Sequence, residues 1–169
     1  RALNADGSEK WSYASSSVAD VFGMIVTSEA VFTAFQNGYV RKFSISNGTV
    51  LKEVLIEGDL PKIRGTLLLT SSGNIIVPFS RESDKPSVVA LDSSLNIVWR
   101  YDIPFGPSYA FPVRMAEGLD GSIFAWVKDY LYSLNGTTGE YNWHKSIDIE
   151  WSTTPTIGAD GTMYLSSGG

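Results

Sequence analysis

The sequence predicts an all-β fold: a β-propeller of four-stranded antiparallel blades. Three observations predict it. Short β-branched or aromatic runs are bounded by turn residues, helical periodicity is nearly absent, and two alternating hairpin patterns recur every 40–48 residues.

The runs are Val31–Phe35, Thr66–Thr70, Ile75–Val77, Ser87–Leu91, Ile123–Val127 and Thr162–Leu165. Such side chains pack well on a pleated surface, and the flanking Gly, Asn, Asp and Ser end each run. Most are separated by 8–12 residues, the spacing of short antiparallel strands.

The first hairpin pattern appears as Leu3–Trp11, Phe43–Leu51, Leu91–Trp99 and Leu134–Trp143. Each copy reads as strand, polar turn, strand ending in a large apolar residue. The terminal anchors Trp11, Leu51, Trp99 and Trp143 lie 40, 48 and 44 residues apart. The second pattern alternates with the first and turns at Ser28-Glu29, Ser72-Gly73, Asp120-Gly121 and Asp160-Gly161. Two hairpins per period make four strands, the content of one propeller blade. A single sheet cannot bury both faces alone, whereas blades packed face to face bury one another. The four anchors are expected to cover the turn of the neighbouring blade, where full burial of a large apolar side chain is worth roughly 1.5–3 kcal/mol.

Composition bounds the function. The 169 residues suit one domain or part of a larger one, and 43% hydrophobic against 18% charged residues supports a packed core rather than disorder. A net charge of −5 without a basic run argues against nucleic acid and anionic membranes. No apolar stretch approaches the length of a membrane span. With no Cys and the single His144, thiol catalysis, disulfide scaffolds, iron–sulfur sites and poly-His metal sites are excluded. No basic and apolar leader precedes the fold, so a signal peptide is expected to have been removed or to lie outside this sequence.

The hairpins resemble the repeats of the quinoprotein-dehydrogenase-like, or PQQ-like, propellers, whose pattern is roughly Leu-Asp-Ala-x-Thr-Gly-x-x-x-Trp. Leu134-Asn135 followed by Thr138-Gly139-Glu140-Tyr141-Asn142-Trp143 is the best match. The Trp11 and Trp99 copies lack one turn residue, and the Leu51 copy lacks the Trp. The resemblance covers essentially the whole chain and marks a fold superfamily rather than a reaction. It implies strands running from axis to rim, with complete blades at about 18–56, 63–103 and 111–147. Residues 1–13 and 153–166 then supply an outer and an inner half-blade, about four blade equivalents in all. Such a chain is a segment of a longer propeller, closes on itself, or completes its half-blades in another chain.

Catalytic members of that family use calcium or a lanthanide, a general-base Asp and often a vicinal disulfide. No Cys is present for the disulfide, the aspartates are dispersed, and no calcium loop appears. Asp120 and Asp160 fall in Asp-Gly turns, where the carboxylate supports the turn. His144 follows Trp143 at a strand end and reads as an exposed strand residue. Glu117 with Asp120, and Asp148 with Glu150, have the proximity of acid–base pairs, a commonplace one. No catalytic residue, metal site or cofactor is expected.

The loops leaving each blade are richer. Phe105, Tyr109 and Trp151, with Arg81 in the 80–86 loop, are residue types enriched at interface anchors, and they form the candidate interaction surface. The alternative places the three aromatics in the blade seams and Arg81 in a solvated turn. Asn47 and Asn135 begin glycosylation sequons that are equally good turn sequences. The expected protein is a non-catalytic scaffold binding a protein or glycan on its loop face, in the periplasm or outside the cell. The resemblance implies likeness to propeller lipoproteins that support outer-membrane protein assembly. The alternatives are a fragment of a quinone-dependent dehydrogenase and a ring or filament subunit that self-associates by completing half-blades.

Overall fold

The computed structural model describes residues 1–14, 20–56, 62–63, 65–80, 86–104, 112–147 and 154–166. The chain is all-β and folds as a β-propeller array of antiparallel sheets. An outer hairpin comes first, β1 (Ala2–Leu3) and β2 (Glu9–Trp11). The first complete blade has strands β3 (Val21–Val26), β4 (Ala30–Phe35), β5 (Tyr39–Ser44) and β6 (Val50–Leu55), paired in chain order.

The second blade has its innermost strand in two pieces, β7 (Lys62–Ile63) and β8 (Leu68–Leu69). Both pair with β9 (Ile75–Ser80), which continues to β10 (Ser87–Leu91) and β11 (Ile97–Asp102). The break faces Pro78, which has no N–H to give a neighbouring strand. The sequence predicts one strand through Thr66–Thr70, whereas only Leu68–Leu69 pairs there. The third blade is β12 (Arg114–Glu117), β13 (Ile123–Val127), β14 (Tyr130–Leu134) and β15 (Tyr141–Ser146). An inner hairpin of β16 (Thr156–Ile157) and β17 (Met163–Tyr164) follows as a separate two-stranded sheet. Among the described residues no helix is long and apolar enough to cross a membrane.

The core lies between blades. In β9, Ile75, Val77 and Phe79 face the first blade and join Phe32, Ala34 and Val40, while Ile76 faces the third and joins Ala125, Val127 and Tyr132. Side chains alternate across a strand, so a strand covered on both sides reads as a continuous apolar run. That is why Ile75–Phe79 and Val88–Leu91 contain almost no polar residue. The rim strand β15 is exposed along its whole length, although Tyr141 stacks on Tyr101 of the second blade with ring centres 6.4 Å apart.

Candidate functional site

Among the described residues, two of the three seams onto an outer hairpin turn are built on tryptophan. Trp11 ends the first hairpin and donates its indole N–H to the Ile45 carbonyl of the next blade at 3.1 Å. Its ring lies flat over Gly48, where an added Cβ would sit 2.5 Å from Cε3. Trp99 repeats this one seam later. Its indole N–H donates to the Gly136 carbonyl at 3.0 Å, and its ring covers Gly139 at 2.6 Å from an added Cβ. Gly48 and Gly139 have φ of 73° and 74°, a backbone state that a side-chain-bearing residue adopts only at a cost. Glycine thus serves twice: it closes the turn and leaves room for the indole.

The seam between the first two blades works the other way round. Pairing places Trp11 opposite Ala2, Trp99 opposite Ala90 and Trp143 opposite Ser133. The corresponding pair in the first blade is Lys42 with Lys52, so Lys52 rather than Leu51 holds the anchor position. Leu51 is 56% exposed. Lys52 reaches the next blade's turn through Nζ to Asn96 Oδ1 at 3.1 Å, and Lys42 Nζ reaches the Ser93 carbonyl at 2.9 Å. The apolar filling comes from Leu95 in that turn, at φ 60° and 1% exposed, packed into the core of this seam. A side chain reaches back where elsewhere an indole reaches forward.

Polar groups fasten the inner turns. Both Glu117 carboxylate oxygens accept from Ser71, from its N–H and its hydroxyl, each at 2.7 Å, which ties the second blade to the third. Asp120 accepts from the Ser122 N–H and hydroxyl, each at 3.0 Å. These bonds, the backbone one first, hold its carboxyl below the ordinary carboxylate range. Asp160 does the same with the Thr162 N–H, Asp92 with Asn96 and Ser94, and Asp6 chiefly through the Ser8 hydroxyl. Glu117 and Asp120 are therefore engaged in holding turns. Asp148 and Glu150 lie outside the described residues. Among the described residues no group of three or more His, Cys, Asp or Glu could hold a metal ion.

Arg41 lies at the seam with the first hairpin, 8% exposed, and pairs with Glu53. Its guanidinium sits 4.5 Å from the Phe35 ring centre and 5.8 Å from that of Tyr13, an arrangement the sequence did not reveal because its members are scattered over 13–53. His144 is exposed on β15, its ring 5.5 Å from Tyr132 and its Nδ1 2.8 Å from the Tyr141 hydroxyl. Asn47 and Asn135 are exposed, and each carboxamide oxygen accepts backbone N–H groups of its own turn, from Thr49 at 3.1 Å and from Thr137 at 2.9 Å. Arg81, Phe105, Tyr109 and Trp151 all lie outside the described residues.

No family model and no curated protein matches the chain. Solved structures do. A protein of unknown function from Bacteroides caccae matches with TM-score 0.69 at 10% identity, over 98% of this chain and 60% of that one. BamB from Moraxella catarrhalis matches with TM-score 0.65 at 20% identity, over 95% and 47%. The WD40 β-propeller domain of Doa1 matches with TM-score 0.66 at 12% identity, over 96% and 52%. The fold is a β-propeller. The chain spans about half to three-fifths of the length of these structures.

Proposed function

We propose that this chain is a non-catalytic propeller of the PQQ-like type, a rigid scaffold that binds a protein or glycan on its loop face in the cell envelope or outside the cell. The observation that carries this reading is the use made of the polar and aromatic residues. Trp11, Trp99, Glu117, Asp92, Asp120 and Lys52 all fasten one blade to the next or close a turn. Such a chain invests its chemistry in rigidity, and a rigid frame presents loops with little ordering cost on binding. The two Trp-over-Gly seams support the PQQ-like reading, whose repeat pattern carries a Thr-Gly turn and a terminal Trp. The likeness of the fold to BamB is compatible with an envelope location.

The test has two arms. Photo-crosslinking residues placed singly at positions 81, 105, 109 and 151 in cells should capture the same partner, while positions on the rim strand β15 should not. Titration with pyrroloquinoline quinone and calcium should show no tight binding and no dye-linked oxidation of alcohols or sugars. Quinone binding with turnover would replace this reading by that of a dehydrogenase segment. Crosslinks confined to the rim would move the binding face.

A further inference from the structure

The inner turns of the first and second blades are built alike. Thr27 and Thr70 each open the turn, and each threonine Oγ1 accepts the N–H of the residue that closes it, Ala30 at 3.1 Å and Asn74 at 2.9 Å. Each hydroxyl also donates to the carbonyl of that same residue, at 3.2 Å and 3.1 Å. Ser28, which follows Thr27, is therefore the counterpart of Ser71, which follows Thr70. Ser71 gives its N–H and hydroxyl to Glu117 of the next blade. Opposite Ser28 the position of Glu117 is held by Leu69, because Leu69 pairs with Ile75 as Glu117 pairs with Ile123. A leucine side chain accepts no hydrogen bond. Among the described residues neither the N–H nor the hydroxyl of Ser28 meets an acceptor.

A cleft of about 440 Å3 opens where that clasp is missing. It is formed wholly by the first and second complete blades, at the Ile75 end of β9, away from Ser80 and the 80–86 loop. Leu69, Phe32 and Ile75 supply its apolar lining, and Leu69 is 39% exposed. Lys42 supplies a cation. Its Nζ donates to the Ser93 carbonyl at 2.9 Å and stands 5.6 Å from the Phe32 ring centre, which leaves two of its three N–H donors for a ligand. Glu29, next to Ser28, supplies an anion. Space of this size, with a few polar groups on an apolar lining, has the character of a small-molecule site.

We propose that this seam binds a small zwitterion with an apolar side chain, the chemistry of an apolar α-amino acid. Its carboxylate takes the seat that Glu117 fills one seam on, accepting from the Ser28 N–H and hydroxyl with the Lys42 ammonium beside it. Its ammonium pairs with Glu29, and its side chain covers Leu69. Hydrogen bonds to a carboxylate are among the strong ones, and the Glu117 clasp is an internal example of such bonds on this kind of turn. Glu29 disfavours a simple acid through like-charge repulsion. The site does not depend on what the loop face binds.

Isothermal titration with leucine and with phenylalanine tests the proposal. Two truncated analogues accompany them: isocaproate, which lacks the ammonium of leucine, and isopentylamine, which lacks its carboxylate. At least one of the amino acids should bind with Kd below about 1 mM, and both analogues at least about 10-fold more weakly. Lys42→Met should weaken the amino acid at least about 10-fold. Leu69→Glu restores an internal carboxylate opposite Ser28. It should abolish binding while leaving the urea midpoint at or above that of the unmodified chain, which separates a filled seat from an unfolded protein. Four results would overturn the proposal. They are no saturable binding of either amino acid up to about 10 mM, an analogue that binds as tightly as the amino acid, binding that survives Lys42→Met or Leu69→Glu unchanged, or a urea midpoint lowered by Leu69→Glu. The last would mean that Ser28 offers no seat to a carboxylate.

Discussion

The tryptophan seams make a measurable claim about glycine. Gly139 and Gly121 have nearly the same backbone, φ 74° and 79°, yet Gly139 lies under Trp99 while an added Cβ at Gly121 meets nothing within 4 Å. Alanine at either position bears the same left-handed penalty, about 1–2 kcal/mol. At Gly139 the new methyl also starts 2.6 Å from Trp99 Cδ2 and Cε3, against about 3.5–4.0 Å for comfortable carbon contact. The ring must move by about 1 Å. That displacement strains the 3.0 Å bond to the Gly136 carbonyl and uncovers an indole now 7% exposed. Overpacking of this kind costs about 1–3 kcal/mol, and a lost hydrogen bond about 1 kcal/mol more. Gly139→Ala should therefore lose about 3–6 kcal/mol and Gly121→Ala about 1–2 kcal/mol. Urea unfolding followed by tryptophan fluorescence reads both. In a Trp99→Ala background Gly139→Ala should fall to the Gly121→Ala value, leaving a coupling of about 2–4 kcal/mol. Equal costs for the two glycines, or a coupling below about 0.5 kcal/mol, would refute the claim that the indole docks on this turn.

Further outcomes follow from the other seams and turns. Leu95→Ala should cost about 2–4 kcal/mol in the same assay, because the side chain is 1% exposed, whereas Leu51→Ala should stay within about 0.5 kcal/mol. The reverse order would restore Leu51 as the anchor. Glu117→Gln keeps the shape but loses charge-assisted acceptance from Ser71, and should lower stability by about 1 kcal/mol, with a smaller effect in high salt. Lowered folded-state pKa values at Asp6, Asp92, Asp120 and Asp160 mean that the unfolded chain binds protons first on acidification. Their contribution is present above the ordinary aspartate value near 3.8 and is lost as pH falls through the lower folded values. Melting temperature should drop between about pH 5 and pH 2, and less steeply in the fourfold Asp→Asn variant. A flat or rising profile would contradict the turn bonds.

Much of the architecture was readable because its signals are local. A tight turn such as Asp160-Gly161 announces itself in two residues, and β-branched runs declare the strands. Register was harder. Hairpins differ by one residue in length, and counting eight residues from Phe43 lands on Leu51, while counting nine, as from Leu134 to Trp143, lands on Lys52. The useful signal was Gly48, five residues after Phe43 as Gly139 is five after Leu134. Leu95 looked like an ordinary turn residue, because a positive φ leaves no mark on a leucine. The split inner strand depends on the register against β9, which shifts between the Ile63–Phe79 and Leu68–Ile76 pairs and leaves no mark in the sequence. The Arg41 site escaped for the same reason. The loop-face residues Arg81, Phe105, Tyr109 and Trp151 stand out by type alone, since pattern assigns no partner to long irregular connections.

The reversed seam between the first and second blades makes the blades non-interchangeable. Each one carries a particular fitting on either side: an indole or a lysine forward, a bare turn or a leucine behind. Moving the second blade to follow a tryptophan-bearing neighbour would drive an indole into Leu95, and moving the third blade behind Lys52 would leave a hole above Gly139. The chain thus writes its own sequence of parts into the joints. Shuffling whole repeats would therefore break the fittings even though every repeat is intact.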